Sequence, residues 1–164
     1  MKVQILDNFL PPELFDQTKK EFNDLIDSNE MHFCKEFGRM YCHRPSWFDY
    51  LHKTLVLDQA KKLFGNDIVP SYNFLSYYMT EHSICRLHTD RFPMCQYTLD
   101  LCIFQNDPWD IYVNYIPYKL EPNQALSYSG TGMPHYREWM EKGNRVALAF
   151  FHFSDSVYAK MDLN

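Results

Sequence analysis

The chain has 164 residues, 46% hydrophobic and 23% charged, with a formal net charge of −5. That length suits one domain with a real core. An acidic balance without a basic block disfavours nucleic-acid binding through a cationic face, and no run is long and apolar enough for a membrane-spanning helix. The opening Met1–Asp7 lacks the long apolar stretch of a signal peptide. The five cysteines, Cys34, Cys42, Cys85, Cys95 and Cys102, form no Cys-x-x-Cys pair. This argues against a disulfide scaffold or structural zinc site and for reduced thiols in a cytoplasm.

In chain order, residues 2–10 read as a short strand leading into Pro11-Pro12, which suit a helix's first turn. Leu14, Phe15, Thr18, Phe22, Leu25 and Ile26 then repeat at helical spacing, and the helix ends near Ser28-Asn29. Residues 31–45 look irregular, with a strand around 33–41. Ser46 opens a second helix with Asp49 three residues on, in the pattern of a capping box. Its apolar stripe runs from Trp47 to Leu63, and Gly65-Asn66 is its stop. From Val69 onward the texture is strands: 71–79, 87–92, 96–105, 110–115, 124–128 and 145–153, separated by Pro, Gly and Asn turns. High aromatic content, 17%, agrees with strands and a dense interior. The expectation is one α+β domain over residues 1–164: helical support over 11–65 backing a double-stranded β-helix, a jelly-roll or cupin-like core, over 69–154.

Chemistry concentrates in His88-Thr89-Asp90, His135 and Arg145. On an extended strand Arg86, His88 and Asp90 share a face while Leu87 and Thr89 share the other. The 47 residues from His88 to His135 leave room for about three strands, enough to carry the chain around a small barrel. Two imidazoles and one carboxylate form the facial triad that suits Fe(II), with positions left for O2 and a co-substrate. Arg145 opens the last long strand, and alternation puts it on one face with Ala147 and Ala149, leaving space for a small dicarboxylate beside a cation. Tyr77 or Tyr78 is placed to donate to the same carboxylate. Together these point to a non-haem iron oxygenase using 2-oxoglutarate.

Other residues leave two readings open. Gln96, Thr98 and Asp100 alternate on one face, either cavity lining or a solvated surface. His82 is a substrate contact or exposed. His152 lies opposite Arg145 and reads as structural, and the parity of Cys85 points it away from His88. Tyr77, Tyr78, Trp109, Tyr112 and Tyr136 are either an aromatic substrate wall or core.

The order of these motifs resembles the 2-oxoglutarate and Fe(II)-dependent dioxygenase superfamily, and within it the prolyl 4-hydroxylase-like branch. The carriers are Ile5–Leu14, Tyr77-Tyr78 ahead of His88-Thr89-Asp90, and Ser129–His135 followed by Asn144-Arg145-Val146-Ala147. Arg145 stands where many prolyl hydroxylases have Lys, and the hydroxyl of an Arg-x-Ser pattern is missing. The resemblance implies Fe(II) on His88, Asp90 and His135, and 2-oxoglutarate with its far carboxylate on Arg145. It also implies O2 as oxidant, ascorbate as an accessory, and hydroxylation of a small molecule or peptide side chain with release of succinate and CO2. The competing reading is a cupin-like metalloprotein without 2-oxoglutarate chemistry, and the presence of Arg145 favours the first. Substrate identity and oligomeric state are not legible.

Overall fold

A computed structural model describes residues 1–159. A first short strand, β1 (Gln4–Leu6), leads into helix α1 (Pro12–Asp27), whose buried face carries Thr18 and Phe22. The expected second helix is two. Helix α2 (Ser46–Lys53) and helix α3 (Leu55–Phe64) break at Thr54, whose hydroxyl donates back to the Tyr50 carbonyl at 2.8 Å. Such back-bonding competes with the helical ladder and bends it. The capping box does not form. Ser46 is already helical behind Pro45 and makes no side-chain cap, while the Asp49 carboxylate is taken by Lys53 and by Asn73 Nδ2.

Residues 31–45 are more regular than expected. They form a hairpin of β2 (His32–Cys34) and β3 (Arg39–His43), turned through Gly38 at φ +59°. The strands that follow are β4 (Ile68–Tyr78), β5 (Cys85–His88), β6 (Tyr97–Gln105), β7 (Ile111–Val113), β8 (Ile116–Tyr118), β9 (Ala125–Tyr128), β10 (His135–Arg137) and β11 (Val146–Asp155). A short helix, α4 (Ser156–Ala159), follows. Strand β10 was not expected as a strand, and neither was the β7–β8 hairpin, turned by Asn114 and Tyr115 with positive φ.

Two antiparallel sheets face each other, one of seven strands in the order β1-β9-β6-β11-β4-β3-β2, the other of four in the order β5-β10-β7-β8. This is the expected double-stranded β-helix. The helices cover the outer face of the larger sheet. There Phe22, Leu51, Leu75, Leu101, Ala147, Ala149 and Phe151 form one apolar cluster. Between the sheets Tyr78, Cys102, Val113, Leu126, Val146 and Leu148 form a second, which closes one end of the barrel. Each fully buried Leu or Phe contributes about 1.5–3 kcal/mol. No helix among the described residues is long and apolar enough to cross a membrane.

Candidate active site

The open end of the barrel collects the candidate ligating residues. His88 ends β5, Asp90 lies two residues past that end rather than on the strand, and His135 opens β10 directly opposite His88. The Nε2 atoms of His88 and His135 each stand 3.6 Å from Asp90 Oδ1. Their candidate ligand atoms all lie within 4.8 Å of one another, and the three form one group able to hold a metal ion. Both imidazoles are held the same way. His88 Nδ1 donates to the Arg86 carbonyl at 2.6 Å, and His135 Nδ1 to the Met133 carbonyl at 3.0 Å. Each Nε2 lone pair is thereby left for a cation. The Asp90 carboxylate pushes the His88 pKa up to about 10, holding a proton that a cation at Nε2 would displace. Burial alone would raise Asp90, but the imidazoles of His135 and His88 beside it hold it below the ordinary carboxylate range. Side-chain exposure of 44% at His88 against 5% at His135 shows which side faces solvent.

Beneath the triad is a cavity of about 120 Å³ lined by Arg39, Tyr78, Asp100, Tyr128, Arg137 and His152 among others. That is room for several waters or one small dicarboxylate. Two guanidinium groups enter it. Arg137 lies two residues after His135 on β10 and is 4% exposed; its Nη1 donates to the Trp109 carbonyl, its guanidinium sits 5.1 Å from the Trp109 ring, and its Nη2 has no hydrogen-bond partner. Arg39, from β3, donates through Nη1 to Ser76 Oγ and Tyr78 Oη, both at 3.1 Å, while its Nε is unpartnered. Orphaned N–H groups on buried cations are costly unless an anion meets them.

Arg145 is not among these lining residues. It is exposed on the helical side of the larger sheet, beside a groove lined by Lys19, Phe22, Tyr77 and Phe104. The alternation along β11 is as expected, but the faces are exchanged. Val146, Leu148, Phe150 and His152 look into the barrel, while Ala147 and Ala149 are small because the helices pack against them. Tyr77 goes with Arg145, edge-on to Phe22 at 5.4 Å, whereas Tyr78 lines the cavity. Arg86 also leaves the triad face and meets Glu36 at 3.5 Å on the surface. The cause is an irregularity in β5, where His135 and Arg137 stand opposite His88 and Cys85, so three residues of β10 oppose four of β5. The bulge resets parity, turning Cys85 inward with its Sγ 4.0 Å from His88 Nδ1. Sequence reasoning missed Arg39 and Arg137. The period-two pair His135 and Arg137 was the available signal for the second.

Asp100 is fully buried in the cavity wall. Tyr128 donates to its Oδ2 at 3.2 Å, Oδ1 is unpartnered, and burial, opposed by Arg137 and His135, pushes its pKa from 3.8 to about 7. Between those values the folded metal-free protein keeps a proton that the unfolded chain has released. The group's contribution is therefore fully present below pH 4 and is lost as pH rises to about 7. At ~1.4 kcal/mol per pH unit the gap bounds the loss at about 4 kcal/mol. Asp100→Asn should flatten this slope in urea unfolding of the metal-free protein at pH 5 and pH 8. An equal difference from wild type at both pH values would refute the assignment.

No family model and no curated protein matches the chain. Solved structures do. The α-ketoglutarate-dependent epimerase SnoN of nogalamycin biosynthesis superposes with a TM-score of 0.76 at 10% identity, covering 93% of this chain and 77% of SnoN. A Pseudomonas putida prolyl-4-hydroxylase gives 0.71 at 15% identity, covering 93% and 92%. HygX from Streptomyces hygroscopicus, crystallised with nickel, 2-oxoglutarate and hygromycin B, gives 0.72 at 9% identity, covering 94% and 83%. With its two facing sheets and helical backing, the chain has the double-stranded β-helix fold of these non-haem, 2-oxoglutarate-dependent enzymes.

Proposed function

We propose that this protein is an Fe(II)- and 2-oxoglutarate-dependent oxygenase that hydroxylates a small molecule or a peptide side chain. The observation that carries the reading is the His88, Asp90 and His135 cluster standing directly over a cavity with two incompletely partnered guanidiniums, Arg137 buried and Arg39 partly buried. Two neutral imidazole nitrogens and one carboxylate are the donor set that suits Fe(II) and leaves positions open. Bound there, the metal supplies oxidative chemistry coupled to decarboxylation of 2-oxoglutarate to succinate. Arg137 and Arg39 bind the far carboxylate of the co-substrate, replacing Arg145 in that role. Tyr78 Oη and Ser76 Oγ orient Arg39, and the Trp109 carbonyl and ring orient Arg137. The apolar end around Cys102, Val146 and Leu148 excludes water from behind the co-substrate. A cavity that one dicarboxylate fills puts the target outside it, at the exposed His88 side.

The relatives in fold include an epimerase and a carbocyclase as well as a hydroxylase, so fold alone does not choose the outcome. Hydroxylation is favoured by the carboxylate that Asp90 supplies beside the two imidazoles, together with the resemblance to the prolyl 4-hydroxylase-like branch. Five unpaired cysteines support a reducing compartment such as the cytoplasm, which keeps iron ferrous.

Purified protein given Fe(II), ascorbate, O2 and 2-oxoglutarate should form succinate slowly without added substrate. Arg145→Ala should leave the rate within about twofold of wild type, as for a surface change. Absence of turnover, together with no 2-oxoglutarate binding by nickel-loaded protein, would favour a cupin-like metalloprotein instead.

A further inference from the structure

Asp90 has two oxygens with different surroundings. Oδ1 faces the two triad imidazoles. Oδ2 faces away from them into a pocket of its own. Thr98 Oγ1 donates to it at 3.3 Å, and His152 Nδ1 stands 3.0 Å from that same hydroxyl. A hydroxyl has one proton. Given to the carboxylate, it leaves the oxygen lone pairs to accept from His152 Nδ1–H. The opposite order would set lone pairs against the carboxylate. Gly130 closes the pocket. Its carbonyl accepts from the Asp90 N–H at 2.8 Å, and a Cβ there would press into Oδ2 and stand 2.6 Å from Thr98 Oγ1.

His152 is itself tied to the helical layer. Its carbonyl accepts from His52 Nε2–H at 2.9 Å, which leaves His52 Nδ1 to accept from Asn73 Nδ2 at 3.1 Å. Asn73 Nδ2 also donates to Asp49 Oδ1 at 3.0 Å. The chain thus runs from α2 through β4 and β11 to the carboxylate.

We propose that Thr98, His152 and Gly130 form a cradle that fixes the rotation of the Asp90 carboxylate, so that only Oδ1 is presented to the metal. Thr98 and His152 are positioning residues, with His152 acting through the Thr98 hydroxyl. The proposal rests on Asp90 being a metal ligand, and its test reads metal binding rather than turnover. The probe is Co(II) alone, followed by calorimetry and by its visible absorption bands. Thr98→Val, which removes the hydroxyl at nearly constant shape, should weaken Co(II) binding about 10–100-fold, as losses of groups supporting a ligand do, and change the band shape. Thr98→Ser should restore both, and far-UV circular dichroism with a thermal melt checks that each variant is folded. In a double-mutant cycle, His152→Phe should weaken binding in the wild-type background and add little on top of Thr98→Val.

Wild-type affinity and an unchanged spectrum in Thr98→Val would overturn the cradle while leaving the triad standing. Additive losses in the cycle would overturn the relay from His152. Absence of Co(II) binding by wild type would overturn the triad reading and the cradle with it. Cys95 Sγ also lies within 4.8 Å of Asp90 and His152 ligand atoms. A thiolate-to-cobalt charge-transfer band lost in Cys95→Ala would place the ion on that other side of Asp90 and overturn the proposal.

Discussion

His135→Ala is expected to abolish Fe(II)-dependent turnover and to weaken divalent-metal binding by two to three orders of magnitude. Structural zinc sites gain roughly 10–16 kcal/mol over four ligands, so about 3–4 kcal/mol goes with each, or roughly 10²–10³ in affinity. His135 is the ligand least able to be replaced by water. It is 4% exposed, packs 4.9 Å from the Tyr128 ring, and its Nδ1 is engaged with the Met133 carbonyl. His88, far more exposed, should show a somewhat smaller loss on the same change. Nickel titration followed by calorimetry is the direct measurement, with His82→Ala as control. Wild-type nickel affinity in His135→Ala would remove His135 from the metal site.

The second large effect belongs to Arg137. Truncating one partner of a buried charged contact costs about 2–5 kcal/mol, or roughly 30-fold to several thousandfold. Arg137→Met should raise the 2-oxoglutarate concentration needed for half-maximal succinate formation by that order, while nickel affinity stays near wild type. The melting temperature of the ligand-free variant should stay level or rise, because the buried guanidinium has an unpartnered Nη2 in the ligand-free state and a thioether has none. This combination separates loss of the co-substrate from loss of the fold. Arg39→Met should weaken 2-oxoglutarate as well, but less, since Arg39 is only partly buried and two hydroxyls already share its Nη1. Unchanged co-substrate affinity in both variants would leave the carboxylate without an anchor in this cavity.

The barrel was legible because strands alternate strongly and its turns are marked by Pro, Gly and Asn. The triad was legible because its residue types and order are unusual together, whatever the exact register. What failed was facing. Period two sorts β11 into two sets, yet says nothing of which set meets the helices, and Ala147 and Ala149 fit either a ligand cavity or a close helix contact. In β5 the bulge breaks the alternation itself, so Arg86 and Cys85 exchange places relative to expectation. Arg39 was out of reach for another reason. Residues 31–45 carry weak periodicity, and β3 reaches the cavity only by pairing with β4 across more than 30 positions, as in Arg39 opposite Tyr78 and His43 opposite Phe74.

The strand order has a consequence for biosynthesis. β11 lies between β4 and β6 and pairs with both along most of its length. Until it emerges from the ribosome, a nascent chain already holding His88, Asp90 and His135 has no central strand joining its halves, and β4 and β6 each present an unpaired edge. The cavity beneath His88, Asp90 and His135, walled in part by Phe150 and His152, is incomplete at that stage. Insertion of the last long strand is therefore the step that joins the halves of the larger sheet and completes the cavity wall beneath His88, Asp90 and His135. Before it, those edges are open to pairing with other chains.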